Sequence, residues 1–193
     1  MNSIDYFCFC MDDGKVILEK TRFYLTLRRL CEELIENYGN FDNTCIIGLQ
    51  PRGVALASRI VDYLKKEVKD CQFKYGKLDI TFYRDDYRIR EKPLSASPTE
   101  IDFIVENKKV LLVDDVLYTG RSVQAALTAL QHYGRPEVVE LLTLVDRRFN
   151  RHLPILANYV GVTVDSVDDA YVRVDWDEGT LANRIMLFPK RTE

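Results

Sequence analysis

The feature that most constrains the fold is a short apolar run that ends in two acids, V-L-L-V-D-D, at residues 110–115. Four consecutive apolar residues are too few for a helix and too uniformly apolar for a strand with one wet face, so they predict a buried strand of a parallel sheet. Helical spacing begins at Ser122, and residues 116–121 are therefore predicted to form the turn between strand and helix. The apolar face of that helix consists of Val123, Ala126, Leu127 and Leu130.

This predicted turn carries two kinds of ligand-binding group. Asp114 and Asp115 lie where a parallel strand ends, which is the edge at which open α/β sheets bind ligands. Their carboxylates can accept hydrogen bonds from a sugar diol or hold a cation. The run T-G-R-S at residues 119–122 places two hydroxyls, a guanidinium and a glycine at a helix N-terminus, which favours a phosphate. The two groups lie about five residues apart, which fits one ribose 5-phosphate along the loop.

Two better-known phosphate motifs fit this stretch less well. A Walker A loop requires Gly-Lys-Ser/Thr, and a dinucleotide-binding fingerprint requires G-x-G-x-x-G. Neither pattern occurs in residues 110–126. The stretch therefore predicts a site for a phosphorylated sugar.

A second strand, turn and helix of the same kind precede it in the chain. The run T-C-I-I-G-L at residues 44–49 predicts a buried strand, and residues 54–66 predict a helix. Between them lies Q-P-R-G, in which Gly53 would let the backbone approach an anion and Arg52 would add a fixed positive charge. This unit predicts a second anion-binding turn.

The rest of the chain alternates between strand and helix patterns. A helix is predicted over residues 21–38, ending at Gly39. Strands are predicted at residues 15–18, 77–83, 138–145, 159–164, 171–174 and 185–188. A chain of 193 residues has room for one domain. The sequence thus predicts a single α/β domain over residues 1–193, with a central, mostly parallel sheet flanked by helices.

One long stretch, at about residues 84–104, has no apolar periodicity. Loops of this length are uncommon unless they are disordered or act as lids. We interpret the stretch as a flexible hood loop that closes over substrate, and refer to it below as the hood. Residues 1–14 are interpreted as an N-terminal extension, and residues 1–10 within it lack the basic flank and long apolar run of a signal peptide or membrane span.

Composition limits the compartment and the partners. The chain is 47% hydrophobic and 30% charged, which is ordinary for a soluble globular protein. Its net charge of −3 gives no overall attraction to nucleic acid or anionic membrane, so RNA contact would need a local basic patch. The five cysteines are odd in number and lack paired C-x-x-C spacing, which favours a reducing cytoplasm.

Several motifs carry a resemblance to a known family. The run V-L-L-V-D-D-V-L-Y-T-G-R-S resembles the phosphoribosyl pyrophosphate (PRPP) loop of type I phosphoribosyltransferases, and Q-P-R-G is similar to their pyrophosphate loop. The runs L-D-I-T-F-Y-R-D-D, H-Y-G-R-P, L-V-D-R, L-P-I and Y-V-G narrow the resemblance to the bifunctional pyrimidine operon attenuator and uracil phosphoribosyltransferase family. The matches cover roughly residues 15–161 and imply the type I phosphoribosyltransferase fold.

The resemblance implies a reaction and a set of substrates. Phosphoribose would pass from PRPP to N1 of uracil, giving UMP and pyrophosphate, with Mg²⁺ bound to PRPP. Asp114 and Asp115 would hold the ribose hydroxyls, stay close to that Mg²⁺ and act with Arg52 as the catalytic residues. Family likeness also implies a homodimer or homotetramer.

The remaining implied site residues fall into three groups. Those for the PRPP 5-phosphate are Val116, Leu117, Tyr118, Thr119, Gly120, Arg121 and Ser122. Those for pyrophosphate are Pro51, Arg52, Gly53 and Arg84. Uracil is expected against the turn that follows the strand at residues 138–145, near Asp146 and Arg147.

The family's second activity is UMP-responsive binding of pyrimidine operon leader RNA. The candidate RNA-binding residues are Arg22, Arg28, Arg29, Arg148 and Arg151. This chain departs from the family at two places: R-F-N-R-H at residues 148–152 replaces the usual Gly-His-Arg-Glu, and V-T-V-D-S at residues 162–166 replaces Lys-Asn-Val-Pro-Thr. The second change removes a lysine suited to phosphate contact.

Three functional hypotheses stay open on the sequence. The first is an enzyme of uracil salvage, and the second is an RNA-binding attenuator with weak or no catalysis. The third keeps the PRPP chemistry but replaces uracil with a 6-oxopurine base. A base-specificity panel and an RNA-binding assay would separate them.

Overall fold

The computed structural model describes residues 14–85, 96–166, 170–176 and 183–189. Its strands are β1 (Lys15–Glu19), β2 (Thr44–Leu49), β3 (Lys74–Leu78), β4 (Lys109–Leu117), β5 (Val138–Arg148), β6 (Tyr159–Asp165), β7 (Tyr171–Asp175) and β8 (Arg184–Phe188). Its α-helices are α1 (Lys20–Tyr38), α2 (Gly53–Glu67) and α3 (Arg121–Leu130). The N-terminal extension, apart from Gly14, and the middle of the hood lie outside the described residues.

The main sheet has five strands in the order β3-β2-β4-β5-β6, and every neighbouring pair is parallel. The register places Gly48 of β2 opposite Val113 of β4, and Leu117 of β4 opposite Asp146 of β5. The carboxyl ends of these strands therefore meet at one edge, where α/β sheets bind ligands. The predicted fold, a parallel sheet flanked by helices, is confirmed.

Helices cover both faces of this sheet, which explains its apolar strand sequences. Ile46 of β2 and Leu111 of β4 pack on the face covered by α1 and α2. Their neighbours Ile47 and Leu112 point to the opposite face, which is covered by α3. All four side chains are fully buried, and burying each one stabilises the fold by about 1.5–3 kcal/mol.

A smaller antiparallel sheet, in the order β1-β8-β7, lies beside the main one. Val172, Val174 and Ile185 of this sheet are buried in the same cluster as α1 and α2. Strand β7 also contacts β4. This packing brings the first residues of β7 towards the binding edge of the main sheet.

The predicted strand at residues 77–83 is wrong in its bounds. Strand β3 ends at Leu78, and Thr81–Tyr83 forms a 3₁₀ turn. The reason lies in the buried carboxylate of Asp79, whose Oδ1 accepts hydrogen bonds from the Thr81 amide at 3.1 Å and its hydroxyl at 2.7 Å. Such local bonds between side chain and backbone compete with continued strand pairing.

Strands β4 and β5 run several residues further than the sequence predicted. Strand β4 continues to Leu117, which pairs with Asp146 of β5, and β5 continues to Arg148, which pairs with Asp165 of β6. The turn after β4 is correspondingly short, and Asp114, Asp115 and Arg147 all lie on strands. Their positions are therefore fixed by sheet hydrogen bonds.

The described end of the hood is attached to the rest of the fold. Glu100 forms an antiparallel bridge with Lys77, and their side chains make an ion pair at 2.8 Å. The amide of Ser97 donates to Asp79 at 3.2 Å, and Phe103 packs against the core. Among the helices that the structure describes, none is long and apolar enough to cross a membrane.

Candidate active site

A cavity of about 530 Å³ opens at the carboxyl edge of the main sheet. It is lined by residues that follow β2 and β3, by the end of β4, by Tyr118 and Ser122 after β4, by Arg147 of β5 and by the start of β7. Of the residues predicted from sequence, it brings together Pro51, Arg52, Arg84, Asp114, Asp115, Val116, Tyr118, Ser122 and Arg147. The two predicted anion-binding turns thus face one space.

The two acids of β4 form the most strongly perturbed charge pair of the cavity. Burial raises the pKa of Asp114, and the neighbouring charge of Asp115 raises it further. Burial also raises the pKa of Asp115, although the positive charge of Arg52 opposes this shift. Asp115 is 4% exposed, and its Oδ2 atom has no hydrogen-bond partner among the described residues. The pair therefore favours a ligand that brings hydroxyl donors or positive charge.

Arg52 faces these acids from the start of α2. Burial lowers its pKa, but a hydrogen bond with the Tyr171 hydroxyl and the charges of Asp115 and Asp114 outweigh that effect and raise it. Its guanidinium is therefore held in the charged form at the mouth of the cavity. The preceding peptide bond, between Gln50 and Pro51, is cis.

Packing also requires a glycine at position 53, which the sequence did not reveal. A Cβ atom on Gly53 would lie 2.4 Å from the carbonyl oxygen of Val113 and 3.0 Å from the Cα of Asp114. Both are backbone atoms of β4 and cannot rotate away. The close approach of α2 to β4 therefore requires glycine, whether or not an anion binds there.

The turn after β4 and the start of α3, residues 118–122, carry the predicted 5-phosphate site and are called the phosphate turn below. Gly120 lies in the left-handed region at φ +90° and caps the N-terminus of α3, a conformation that glycine adopts without strain. Thr119 anchors the loop after β5, because its carbonyl oxygen accepts from the amides of His152 at 3.0 Å and Leu153 at 3.3 Å. Leu117 is buried in the core and does not line the cavity.

Two hood residues contact this phosphate turn. Arg84 donates to the Ser122 hydroxyl at 3.4 Å, and the carboxylate of Asp85 pairs with Arg121. Arg121 also approaches Nδ1 of His152 at 3.5 Å. The cation of the phosphate turn is thus already partnered by a carboxylate.

The two residues predicted near the base differ in their surroundings. Asp146 pairs with Arg151, which also donates to the carbonyl oxygen of Tyr118. Arg147 is 4% exposed, and its guanidinium carbon lies 3.9 Å from the centre of the Tyr118 ring. Only Arg147 of this pair lines the cavity among the described residues.

Four of the five candidate RNA-binding arginines have acidic partners. Arg28 pairs with Glu32 at 3.5 Å. Arg29 pairs with Glu33 at 3.3 Å and also donates to the carbonyl oxygens of Val160 and Gly161 at 2.7 and 2.8 Å. Arg148 makes two bonds of 2.6 Å to Asp165, while Arg151 is the partner of Asp146. Arg22 is exposed.

Sequence reasoning missed the contribution of the small sheet. Tyr171 begins β7, is 44% exposed, lines the cavity and hydrogen-bonds Arg52. Gln50 and Thr81 also line the cavity. A tyrosine at the start of a short strand gives no signal of its own, because only the packing of β7 beside β4 brings it to the site.

Comparisons with known proteins agree with this geometry. Bifunctional protein PyrR of Caldicellulosiruptor bescii is 41% identical over 177 residues, which cover 92% of this chain and 96% of that protein. Bifunctional protein PyrR of Bacillus mycoides is 36% identical over 183 residues, 93% of this chain and 100% of the relative.

A solved structure and a family model complete the comparison. The hypoxanthine phosphoribosyltransferase of Trypanosoma cruzi superposes with a TM-score of 0.68 at 15% identity, covering 91% of this chain and 97% of that one. At that identity the likeness concerns the fold alone. The model of the phosphoribosyl transferase domain matches residues 13–178. The chain therefore belongs to the phosphoribosyl transferase domain family.

Proposed function

We propose that the protein transfers the phosphoribosyl group of PRPP to N1 of uracil and releases pyrophosphate, giving UMP. The observation that carries this proposal is one cavity in which the carboxylates of Asp114 and Asp115 lie between the two turns that the sequence predicts to bind anions. Relatives named Bifunctional protein PyrR, 36–41% identical over most of the chain, support the pyrimidine assignment. We further propose a cytoplasmic homodimer or homotetramer.

The carboxylates have the chemistry that a ribose ring requires. Ribose hydroxyls are donors, and Asp115 offers a buried oxygen that has no hydrogen-bond partner in the described structure. As the bond to pyrophosphate breaks, positive charge develops on the sugar, and the negative charge shared by the Asp114–Asp115 pair stabilises it. The two acids thus act more strongly on the transition state than on the bound substrate.

The two turns would hold the two phosphate ends of PRPP. The amides at the start of α3, together with the hydroxyls of Thr119 and Ser122, suit the 5-phosphate. Arg52 and Arg84 suit the pyrophosphate, because guanidinium groups bind phosphate oxygens in pairs of hydrogen bonds. Holding both ends fixes the anomeric carbon close to the acids.

Mg²⁺ that arrives with PRPP fits this site. Magnesium prefers oxygen ligands and commonly uses one or two carboxylates together with substrate phosphates. Asp115 provides such an oxygen, whereas no group of three or more His, Cys, Asp or Glu side chains in the described ranges could hold a metal. When bound, the ion neutralises charge on the leaving pyrophosphate.

The direct test is formation of UMP from radiolabelled uracil, PRPP and Mg²⁺ by the purified protein. We expect product with the native chain and a decrease of about tenfold or more for Asp115→Asn and for Asp114→Asn, because each loses charge stabilisation in a water-poor site. Near-normal rates in both variants would contradict the assigned roles. Hypoxanthine and guanine in the same assay test the 6-oxopurine alternative.

A second function is RNA-dependent regulation, favoured by the bifunctional relatives and by exposed arginines such as Arg28 and Arg148. Their ion pairs lie in solvent and contribute little to stability, so RNA phosphates can replace the acidic partners. We expect UMP-dependent, salt-sensitive retardation of pyrimidine operon leader RNA, weakened in Arg148→Ala. Absence of retardation at low salt with UMP present would exclude this function. In that case a folded protein with UMP-forming activity remains an enzyme only.

A further inference from the structure

We propose that Arg147 determines base specificity, because it presents hydrogen-bond donors alone and so selects a pyrimidine that offers a carbonyl oxygen. This inference rests on the proposed function and concerns the part of the cavity that would recognise the base. It predicts acceptance of a base with an oxo group and rejection of one with an amino group at the position facing Arg147. For pyrimidines, that contrast separates uracil from cytosine.

The first argument is that Arg147 is buried without its full set of partners. Its side chain is 4% exposed, and its Nε and Nη2 atoms make no hydrogen bond to any described residue. Burying a cation with unpaired donors is strongly unfavourable, because the lost hydration is not replaced. A fold that keeps such a residue next to a cavity is therefore organised for an acceptor that the described part of the chain does not supply.

The second argument is that nearby acids do not supply that acceptor. Asp146, the adjacent residue in the sequence, is engaged by Arg151. Asp115 lines the same cavity, yet its Oδ2 atom is also unpartnered among the described residues. The cavity therefore presents an acceptor on β4 and donors on the neighbouring β5. A nucleotide matches this arrangement, with its ribose hydroxyls at Asp115 and a base oxygen at Arg147.

The third argument is that the guanidinium is already oriented. Its carbon lies 3.9 Å from the ring centre of Tyr118, within the range of a cation–π contact. Such a contact engages the face of the guanidinium and leaves its in-plane N–H groups free. Arg151 donates a hydrogen bond to the carbonyl oxygen of Tyr118, which helps to fix the position of that residue. Little conformational entropy remains to be lost when a base binds.

The chemistry of discrimination follows from this donor set. Guanidinium has five donors and no acceptor, so a carbonyl oxygen can satisfy it and an amino group cannot. A site that is built to hydrogen-bond one group rejects an analogue without it strongly, because the buried partners stay unpaired. One charge-assisted hydrogen bond corresponds to about a 10–100-fold change in affinity.

The test compares the native protein with Arg147→Met, which keeps the length of the side chain and removes its donors. We expect kcat/KM for uracil to fall about 10–100-fold while KM for PRPP changes less than about threefold. In equilibrium binding, the preference for UMP over CMP should shrink by a similar factor. Arg135→Met, an exposed arginine outside the cavity, is the matched control and should behave as the native chain.

Thermal unfolding separates specificity from a structural role. Because the Nε and Nη2 donors of Arg147 are buried without hydrogen-bond partners among the described residues, Arg147→Met should keep or raise the Tm of the ligand-free protein. Arg147→Lys retains charge but loses the planar fork, and should show intermediate discrimination. If the Met variant does not fold, the Lys variant alone decides the question by the same UMP and CMP measurements.

Three results would overturn the proposal. One is an unchanged UMP-to-CMP preference in the substituted protein. Another is a variant in which the KM for PRPP changes while kcat/KM for uracil and the affinities for UMP and CMP stay as in the native protein. The third is a large decrease of Tm in the ligand-free Met variant with normal discrimination. If the native protein makes no nucleotide from any base, the proposed reaction fails, while UMP and CMP binding still tests Arg147.

Discussion

The two strand–turn–helix units of the main sheet have the same topology but use glycine and arginine differently. In the first unit, Gly53 is required because α2 touches the backbone of β4. In the second, Gly120 supplies a left-handed turn at φ +90°. Arg52 of the first unit faces the acids of β4, whereas Arg121 of the second pairs with Asp85 of the hood. Similar motifs thus meet different physical requirements.

The largest effect should come from changing the packing glycine. Gly53→Ala would place a Cβ atom 2.4 Å from a β4 carbonyl oxygen, so α2 or the strand must move. We expect a loss of about 3 kcal/mol in the free energy of unfolding, measured by urea denaturation, together with loss of activity.

Gly120→Ala is the matched comparison and should cost about 1 kcal/mol, because the main cost is the left-handed backbone and the nearest atom to an added Cβ is the end of the Ile155 side chain at 3.3 Å. An equal or larger loss at residue 120 would mean that turn geometry, and not the contact between helix and strand, is the tighter constraint.

A second test removes the cation of the first unit. We expect Arg52→Ala to weaken pyrophosphate binding about 10–100-fold while the fold stays intact, because charge-assisted hydrogen bonds are lost. Isothermal titration with pyrophosphate and Mg²⁺ measures this effect. Tyr171→Phe removes only the hydroxyl next to Arg52 and should change binding less than about fivefold. Unchanged titrations in the Ala variant would remove Arg52 from the site.

A third test uses pH to examine the acids between the two units. The folded protein raises the pKa of Asp114 from 3.8 to about 8. Since the folded state then holds this proton more tightly than the unfolded state, its contribution to stability is present below pH 4 and is lost as pH rises towards 8.

Asp114→Asn should therefore match the native protein near pH 4 and exceed its stability near pH 8. Urea denaturation at both pH values measures the difference. A variant that is less stable at pH 8 would show that the Asp114 charge is compensated within the folded chain.

The smallest effect is expected from changing the partner of Arg121, the arginine of the second unit. Asp85→Asn releases Arg121 from its exposed carboxylate partner, and such a pair is worth about 0–1 kcal/mol. The KM for PRPP should fall about two- to fivefold, measured by steady-state kinetics. Asp102→Asn, an exposed acid elsewhere in the chain, should leave KM unchanged. A rise in KM would mean that Asp85 assists binding.

The parts of the site that lie on apolar strands were predictable from sequence. Runs such as V-L-L-V before Asp114 are too short for a helix and too apolar for a half-exposed strand, and a parallel sheet then determines where the acids lie. Prediction failed where side chains override a local pattern, as Asp79 does when it ends β3. It also failed at Tyr171, because β7 reaches the cavity only through tertiary packing.

The anchoring of the loop after β5 has an evolutionary consequence. The amides of His152 and Leu153 both donate to the Thr119 carbonyl oxygen, and Arg151 donates to the carbonyl oxygen of Tyr118. Before this tether the chain bulges at Phe149, which is 67% exposed and has φ +76°. Residues can therefore be inserted or exchanged at 148–150 without displacing the phosphate turn. Lineages can remodel this outer segment for new partners while the chemistry beneath it is inherited unchanged.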